Sequence, residues 1–277
     1  MAQKSILITG CSSGIGYAAA HGMRARGWRV FAACRKLEDC ARLQDAGFDA
    51  PLIDYEDPGS IKAGLAEVLE ATGGTLHALF NNGAYAVPGA VEDLPTNALR
   101  AVFEANFFGW HELTRCVVPM MRQQGHGRIV QNSSVLGFAA LPWRGAYNST
   151  KFALEGLTDT LRLELRDSPI HVVLIEPGPI TSRIRANSIP HFEKWINWEA
   201  SALKTLYETR LRARLYDDTG PDSFELPPEA VVKKLAHALE HPKPRPRYYV
   251  TTPTYIMGTL KRLLSTRSLD KIAAKGG

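Results

Sequence analysis

The stretch Lys4-Ser-Ile-Leu-Ile-Thr-Gly10-Cys-Ser-Ser-Gly14-Ile-Gly16 decides the fold of this chain. Residues 5–9 have the composition of a short buried strand, and residues 14–26 have the pattern of a helix. Glycines between such a strand and helix allow a tight turn close to a pyrophosphate, which the free N–H groups of the helix N-terminus then hold. The spacing Gly-x-x-x-Gly-x-Gly differs from the general dinucleotide fingerprint, so a glycine turn that serves packing alone is the alternative interpretation.

Apolar runs alternate with amphipathic segments along the rest of the chain. Further strands are predicted at 29–34, 50–54, 76–81, 127–133 and 171–176, with a final edge strand at 247–251. Helices are predicted near 14–26, 36–46, 58–72, 96–123 and 148–167. Strands rich in Val, Ile and Leu that alternate with helices form a parallel sheet covered on both faces. We therefore expect a single α/β domain over residues 1–277, with a doubly wound, Rossmann-type parallel sheet.

A tyrosine and a lysine stand four residues apart in Gly145-Ala-Tyr147-Asn-Ser-Thr-Lys151. Side chains at i and i+4 share a helix face, so the Lys151 ammonium can favour the Tyr147 phenolate and lower a pKa that is normally near 10. A tyrosine adjusted in this way exchanges a proton near neutral pH, as interconversion of a carbonyl and an alcohol requires. For a lone match, an amphipathic pair without a chemical role is the alternative.

These motifs together resemble those of the short-chain dehydrogenase/reductase family, and the likeness extends from about Lys4 to Thr181. Tyr147-x-x-x-Lys151 resembles the catalytic motif of the family. Ser133-Ser134-Val-Leu-Gly137 resembles the segment that carries its catalytic serine, and Glu104-Ala-Asn106-Phe-Phe-Gly109 resembles the segment of its fourth catalytic residue. The resemblance therefore implies an oxidoreductase with these catalytic residues: Asn106, Ser134, Tyr147 and Lys151.

The resemblance also implies where a nicotinamide cofactor binds. Residues 9–16 resemble the cofactor motif, and Pro177-Gly178-Pro-Ile-Thr181 resembles the loop that covers the nicotinamide. One departure is Asn81-Asn82-Gly83-Ala84, where the family usually has Asn-Asn-Ala-Gly. The expected cofactor-binding residues are Gly10, Ser12, Ser13, Gly14, Ile15, Gly16, Arg35, Lys36, Asp54, Asn81, Tyr147, Lys151, Pro177, Gly178 and Thr181.

Charge after the second predicted strand favours NADP(H) over NAD(H). An acidic residue about 20 positions after the glycines would pair with a free ribose 2′-hydroxyl, whereas cations accommodate a 2′-phosphate. Here the strand ends in Cys34-Arg35-Lys36. In the alternative, Arg35 and Lys36 form a solvated pair and Glu38 or Asp39 reaches the ribose. Asp54 resembles the family residue that meets the adenine, although an aspartate at a strand end also starts turns.

The resemblance implies a mechanism in which the substrate oxygen lies between two hydroxyl groups. Tyr147 donates the proton during reduction, and Ser134 stabilises the developing negative charge. Lys151 lowers the pKa of Tyr147 and hydrogen-bonds the nicotinamide ribose, and Asn106 holds a water that connects Lys151 to solvent.

The alternating pattern stops after Thr181, and residues 182–227 resemble the variable substrate lid of the family. Apolar side chains accumulate there: Phe192, Trp195, Ile196, Trp198, Leu203, Leu206 and Tyr207. Such residues favour an apolar aldehyde, ketone or alcohol as substrate, although they can equally pack the lid onto the body. The candidate substrate-binding residues are Ser134, Leu136, Trp143 and Tyr147, with Leu141 as a further wall residue. Within the family, the chain most resembles bacterial aldehyde reductases and retinol or hydroxysteroid dehydrogenase-like members.

Composition limits the remaining possibilities. The 277 residues are 45% hydrophobic, with four cysteines and a formal net charge of +5. We expect a protein of the reducing cytoplasm without a signal peptide or membrane span, and one that does not bind nucleic acid. His237 and His241 are at i and i+4 without a third ligand, so no metal site is predicted.

The basic segment 252–277 contains an apolar stripe between its lysines and arginines. A docking helix or a dimer contact is the favoured interpretation, with attachment to an anionic membrane surface as the alternative. The resemblance implies a homodimer or homotetramer. A non-catalytic NADPH-binding sensor or scaffold is the alternative function, but such a protein has no use for an activated phenol.

Overall fold

The computed structural model describes residues 3–217 and 220–274. Within these ranges it contains a parallel sheet of six strands in the order β2-β1-β3-β4-β5-β6. The strands are β1 (Ser5–Ile8), β2 (Arg29–Ala32), β3 (Ala78–Asn81), β4 (Gly127–Asn132), β5 (Ile170–Glu176) and β6 (Arg247–Tyr249). The prediction of a doubly wound parallel sheet is confirmed.

Helices cover both faces of this sheet. They are α1 (Gly14–Ala25), α2 (Leu37–Asp45), α3 (Pro58–Thr72), α4 (Thr96–Phe103), α5 (Gly109–Gln124), α6 (Gly145–Glu164), α7 (Ile184–Trp195), α8 (Lys204–Leu206), α9 (Ala213–Tyr216), α10 (Glu229–Glu240), α11 (Thr252–Leu263) and α12 (Thr266–Ala273). One apolar core lies between the sheet and the side of α1 and α10, and a second lies on the side of α3, α5 and α6. The carboxyl edge of the sheet remains available between them, where ligands bind in such folds.

The strand predicted at 50–54 is wrong. This segment makes only two isolated bridges to the β2 region, Phe31 with Asp49 and Cys34 with Leu52. Pro51 lies between these bridges and has no N–H group to donate, so a continuous ladder cannot form across it.

The helix predicted over 96–123 is not continuous. Between α4 and α5 the backbone widens into a π-helix at Glu104–Phe108. Asn106 in this segment donates from Nδ2 to the carbonyl oxygen of Tyr85 at 2.8 Å and accepts from the Tyr85 N–H at 3.1 Å. The wide turn therefore directs this asparagine into the loop after β3, in agreement with the frequent use of π-bulges at functional sites.

The lid leaves the body and returns to it at one place. The Thr181 N–H donates to the carbonyl oxygen of Leu226 at 3.0 Å, and the Leu226 N–H donates to that of Pro179 at 3.2 Å. The apolar side chains of the lid form a third cluster with residues of the body, so the packing interpretation is confirmed for most of them. The cluster includes Phe192, Trp195, Ile196, Trp198, Leu203 and Tyr207.

Helix α11 packs against the body beside the segment that follows β4. Lys261 Nζ donates to the carbonyl oxygen of Phe138 at 2.6 Å and lies 5.0 Å from the centroid of the Phe152 ring. The structure therefore supports docking as a role for α11. Over residues 3–217 and 220–274, the helices are all too short or too polar to cross a membrane.

Candidate active site

The glycine turn between β1 and α1 is closely packed. Gly10 and Gly14 have φ angles of +66° and +57°, which are unfavourable for other residues. A Cβ atom on Gly16 would lie 2.2 Å from the carbonyl oxygen of Gly10, and one on Gly10 would lie 2.6 Å from the Gly83 Cα atom. Helix α1 begins directly after this turn, so its first N–H groups are available to a phosphate. The turn therefore fits the pyrophosphate of a dinucleotide.

A chain of polar contacts connects the glycine turn with the predicted catalytic lysine. The Asn82 N–H donates to Thr9 Oγ1 at 2.9 Å, and Asn82 Oδ1 accepts from Asn132 Nδ2 at 2.8 Å. Lys151 Nζ in turn donates to the carbonyl oxygen of Asn132 at 2.9 Å. The residues that would hold the two ends of a nicotinamide nucleotide are thus fixed relative to one another.

Asn81 does not lie at the cofactor cleft through its side chain. It is fully buried, accepts from the Tyr55 hydroxyl at 2.7 Å and donates to Thr114 and Gln131. Successive side chains of a strand point to opposite faces of the sheet, so Asn81 faces α5 whereas Asn82 reaches the glycine turn. The predicted cofactor contact by the Asn81 side chain is therefore replaced by Asn82.

Ser134, Tyr147 and Lys151 converge at the carboxyl end of β4. Ser134 follows this strand and hydrogen-bonds the Tyr147 hydroxyl closely enough to oppose the rise in its pKa. Lys151 is 1% exposed, and its Nζ atom lies 5.5 Å from the centroid of the Tyr147 ring and 4.1 Å from that of Trp110. Two hydroxyl groups and an amine thus share one half-buried pocket.

The pKa values of this pair differ from the sequence-based prediction. Burial raises the pKa of the Tyr147 phenol above its usual value, where a decrease was expected. Burial also lowers the pKa of Lys151 to about 7, and nearby Glu155 opposes that decrease. Both results have one cause, because the pocket removes water from the charged form of each group. The lysine bonds a neutral carbonyl and does not lower the phenol pKa in this structure.

The side chain of Asn106 is occupied by backbone contacts. Besides the two bonds to Tyr85, its Nδ2 atom lies 3.5 Å from the Thr150 hydroxyl. Asn106 is fully buried. Its amide therefore anchors the loop after β3 to the π-helix and to α6.

Cationic side chains lie near the glycine turn, but not the pair chosen from the sequence. Arg35 is exposed at the end of β2, whereas Lys36 Nζ forms an ion pair with Glu38 at 3.2 Å. Arg42 of α2 donates to the carbonyl oxygen of Ser12 at 2.7 Å and pairs with Asp39 at 3.0 Å. Sequence reasoning missed Arg42, although its position one to two turns after Lys36 on a helix was a usable signal.

Asp54 forms a turn. Its Oδ1 atom accepts from the Glu56 N–H at 3.0 Å, so the turn interpretation of this residue is confirmed. A contact between Asp54 and adenine stays a prediction.

The loop after β5 is bonded to the segment of Ser134. The Val135 N–H donates to the carbonyl oxygen of Pro177 at 2.7 Å. A Cβ atom on Gly178 would lie 2.1 Å from Thr251 Oγ1, so this position requires glycine. The Thr181 hydroxyl donates to Glu225 Oε1 at 2.6 Å, which connects the loop with the end of the lid.

The candidate substrate residues lie between this loop and the lid. Leu136 is buried, with 9% exposure, in the short 3-10 segment after Ser134. Trp143 has a φ angle of +65°, and its ring meets the Tyr207 ring edge to face at a centroid distance of 5.1 Å. Trp143 therefore joins the catalytic segment to the lid cluster. His237 and His241, far from this pocket, stack with ring centroids 4.6 Å apart.

A glycine turn at a strand edge, beside a tyrosine, a serine and a buried lysine, defines a nucleotide-dependent oxidoreductase site. Residues 4–192 match the short chain dehydrogenase family. The chain belongs to this family, and it is an oxidoreductase that acts on alcohol or carbonyl groups.

Similar proteins agree with this assignment. The chain is 42% identical to the uncharacterized oxidoreductase YbbO of Escherichia coli K12, over 98% of this chain and 94% of that protein. It is 32% identical to the NADPH-dependent 3-dehydrocapnine reductase of Ornithobacterium rhinotracheale, over 97% and 95% of the two chains. A short chain dehydrogenase/reductase from Burkholderia phymatum, solved in complex with NAD, has a TM-score of 0.77 at 25% identity over 98% of this chain and 95% of that one.

Proposed function

We propose that this protein is an NADP(H)-dependent oxidoreductase that interconverts an apolar aldehyde or ketone and its alcohol, with Tyr147 as the general acid and base. One observation carries this proposal. The Tyr147 hydroxyl shares a pocket with Ser134, and the nearby Lys151 amine is linked to the glycine turn through Asn132 and Asn82.

A bound nicotinamide supplies the hydride in this chemistry. The protein places the substrate oxygen between Ser134 and Tyr147, and Tyr147 gives its proton to that oxygen during reduction. The Ser134 hydroxyl stabilises the negative charge that develops there. Lys151 holds the nicotinamide ribose and supplies a positive charge beside the phenol.

Asn106 serves this site by position. Its amide bonds to the backbone of Tyr85, so a water on the path from Lys151 to solvent would be held by the backbone of the π-helix rather than by this side chain. The wider turn of a π-helix leaves carbonyl groups without their usual partners, and these can accept from water.

Two arginines support NADP(H) over NAD(H). Arg35 lies in the exposed segment after β2, and Arg42 is fixed to the Ser12 carbonyl of the glycine turn. Guanidinium groups bind phosphate through paired hydrogen bonds, so together these residues suit a ribose 2′-phosphate. A relative with 32% identity is named as NADPH-dependent, which agrees with this assignment. We also propose a cytoplasmic homodimer or homotetramer.

The test is a panel of aldehydes and ketones, in which NADPH absorbance is followed for the wild-type protein and for Tyr147→Phe. We expect turnover by the wild type and a loss of about 10²- to 10⁴-fold in the variant, the usual contribution of a general acid. NADPH affinity should be retained in the variant, and Tyr255→Phe, on exposed α11, is the matched control. Tight NADPH binding without turnover of any carbonyl would instead support the sensor alternative.

A further inference from the structure

Two arginines of the lid converge on one carboxylate. Arg185 of α7 lies 3.1 Å from Asp222 Oδ1. Arg214 of α9 donates to both oxygens of Asp222, at 3.0 and 2.9 Å. Asp222 thus has both carboxylate oxygens engaged by guanidinium groups of the lid.

Arg144 adds a third guanidinium group to this cluster. It donates to the carbonyl oxygen of Pro142 at 3.1 Å. Among the residues that the structure describes, there is no carboxylate within 4.0 Å of it. Burial lowers the pKa of Arg144 to about 10, and the positive charges of Arg214 and Arg185 lower it further while Asp222 opposes them. A half-buried cation that bonds only a neutral carbonyl is costly, because its lost hydration is not replaced by an opposite charge.

The position of Arg144 is fixed by the fold. Its backbone forms a bridge with Gly89, and the Gly89 N–H donates to the carbonyl oxygen of Trp143 at 2.9 Å. Arg144 immediately precedes α6, whose first turn carries Tyr147. The arginine therefore stands three residues before the proposed proton donor.

The cluster also adjoins the loop expected over the nicotinamide. Glu225 accepts from the Thr181 hydroxyl at 2.6 Å through one oxygen, and from the Asp222 N–H at 2.9 Å through the other. Asp222 in turn binds the two lid arginines. The guanidinium groups thus lie between the proton donor and this loop, where the substrate must sit.

We propose that Arg144, assisted by Arg214, binds an oxyanion of the substrate, so that the carbonyl compound carries a carboxylate or a similar acidic group on its apolar chain. This inference rests on the proposed function and narrows its substrate class. A guanidinium group presents paired donors to the two oxygens of an oxyanion, which matches the charge that Arg144 has without a counter-ion. The apolar residues of the lid then contact the chain between the carbonyl and the acid.

The experiment compares matched pairs of substrates over several chain lengths. Each pair consists of an ω-oxo carboxylic acid and the simple aldehyde with a methyl group in place of the acid. For the wild type we expect kcat/KM to favour the oxo acid at the length that spans the pocket. In Arg144→Gln the ratio of kcat/KM for oxo acid over aldehyde should fall about 10- to 100-fold, as for the loss of a hydrogen bond to a charged group.

Arg212→Gln is the matched control. This arginine belongs to the same lid but lies over the Trp198 ring, 4.2 Å from its centroid, and should leave the ratio unchanged. A ratio near one in the wild type at all lengths, or an equal ratio in wild type and Arg144→Gln, would overturn the proposal while leaving the oxidoreductase function intact.

A second measurement is independent of turnover. Calorimetric titration with the corresponding unreactive dicarboxylic acid should show binding to the wild type and to Arg212→Gln, and loss of binding in Arg144→Gln. If the protein binds the dicarboxylic acid in this pattern but reduces neither substrate, the acid site stands and the proposed function fails. If the dicarboxylic acid does not bind at all, the acid site is refuted.

Discussion

Glu155 and Glu176 bind the same guanidinium group from different elements. Arg247 Nη1 of β6 donates to Glu155 on α6 and to Glu176 at the end of β5. Glu176 is fully buried and Glu155 is 7% exposed. One nitrogen thus faces two buried carboxyl groups, one turn beyond Lys151 on α6.

This arrangement favours a proton on the carboxyl pair at neutral pH. Burial raises the pKa of Glu176 to about 8, and the charge of Glu155 raises it further, while Arg247 opposes both. A second carboxylate, Asp159, binds the other nitrogen of Arg247 at 2.6 Å. Tyr249 of β6 also faces this cluster, and its own pKa is raised by burial and by Glu176.

The first prediction concerns stability against pH. Because the pKa of Glu176 is raised from its usual 4.5 to about 8, the folded protein binds more protons than the unfolded chain between these values. The stabilisation is fully present below the unfolded pKa and is lost as pH rises through about 8. We expect Glu176→Gln to reduce this pH dependence by up to about 1.4 kcal/mol per pH unit, measured by urea unfolding.

Asp159→Asn is the control for this prediction, because Asp159 is more exposed and lies outside the pair. It should retain the wild-type slope over the same pH range. An unchanged slope in Glu176→Gln would show that the pair is fully ionised at neutral pH.

Much of the fold was predictable because it depends on local patterns. The glycine turn and the alternation of apolar strands with helices predicted the parallel sheet. The segment at 50–54 failed because apolar composition does not reveal an interrupted ladder, although Pro51 was a visible warning. The π-helix at Glu104–Phe108 was not predictable from periodicity, since it depends on the contact of Asn106 with Tyr85.

The site was predictable to the extent that chain spacing determines it. Ser134 and Tyr147 meet because a strand end and the first turn of α6 lie side by side. The pKa of Tyr147 was not predictable from the spacing of Lys151, because desolvation is a property of the folded pocket. Arg144 and Asp222 are far apart in sequence, so their shared cluster could be found only in the structure.

The second prediction concerns cofactor choice. Arg42→Gln removes a guanidinium group that is fixed to the Ser12 carbonyl, and Arg35→Gln removes the exposed one after β2. Each should weaken NADPH binding by about tenfold, the scale of one charged hydrogen bond, and change NADH binding little. Fluorescence titration of both nucleotides measures this. Lys36→Gln, whose lysine pairs with Glu38, should have a smaller effect, and a larger effect would restore the sequence-based choice.

The third prediction separates two neighbouring asparagines. Asn81 is enclosed by Tyr55, Thr114 and Gln131, so Asn81→Ala should lower the free energy of unfolding by about 1–3 kcal/mol through unsatisfied partners. Asn82 joins Thr9 to Asn132 beside the glycine turn, so Asn82→Ala should chiefly weaken nucleotide binding. Unfolding curves and nucleotide titrations of both variants distinguish the two roles. Equal losses of affinity in both variants would contradict this division.

The fourth prediction concerns the loop between β5 and the lid. In Gly178→Ala the new methyl group would lie 2.1 Å from Thr251 Oγ1, and Thr251 is fully buried, so the loop must shift. We expect a lower Tm and weaker binding of NADPH, because Pro177 beside it is bonded to the segment of Ser134. Thr251→Ala in the same chain removes the obstructing oxygen and should restore part of both losses.

Gly156→Ala is the matched control for the loop variant. Gly156 is exposed on α6, and a Cβ atom there meets nothing within 4 Å among the residues that the structure describes. Alanine in a helix interior is favoured over glycine by about 0.5–1 kcal/mol, so this variant should raise Tm slightly and leave NADPH affinity unchanged. If Gly178→Ala behaved like Gly156→Ala, close contact with Thr251 would not be what holds the loop over the nicotinamide site.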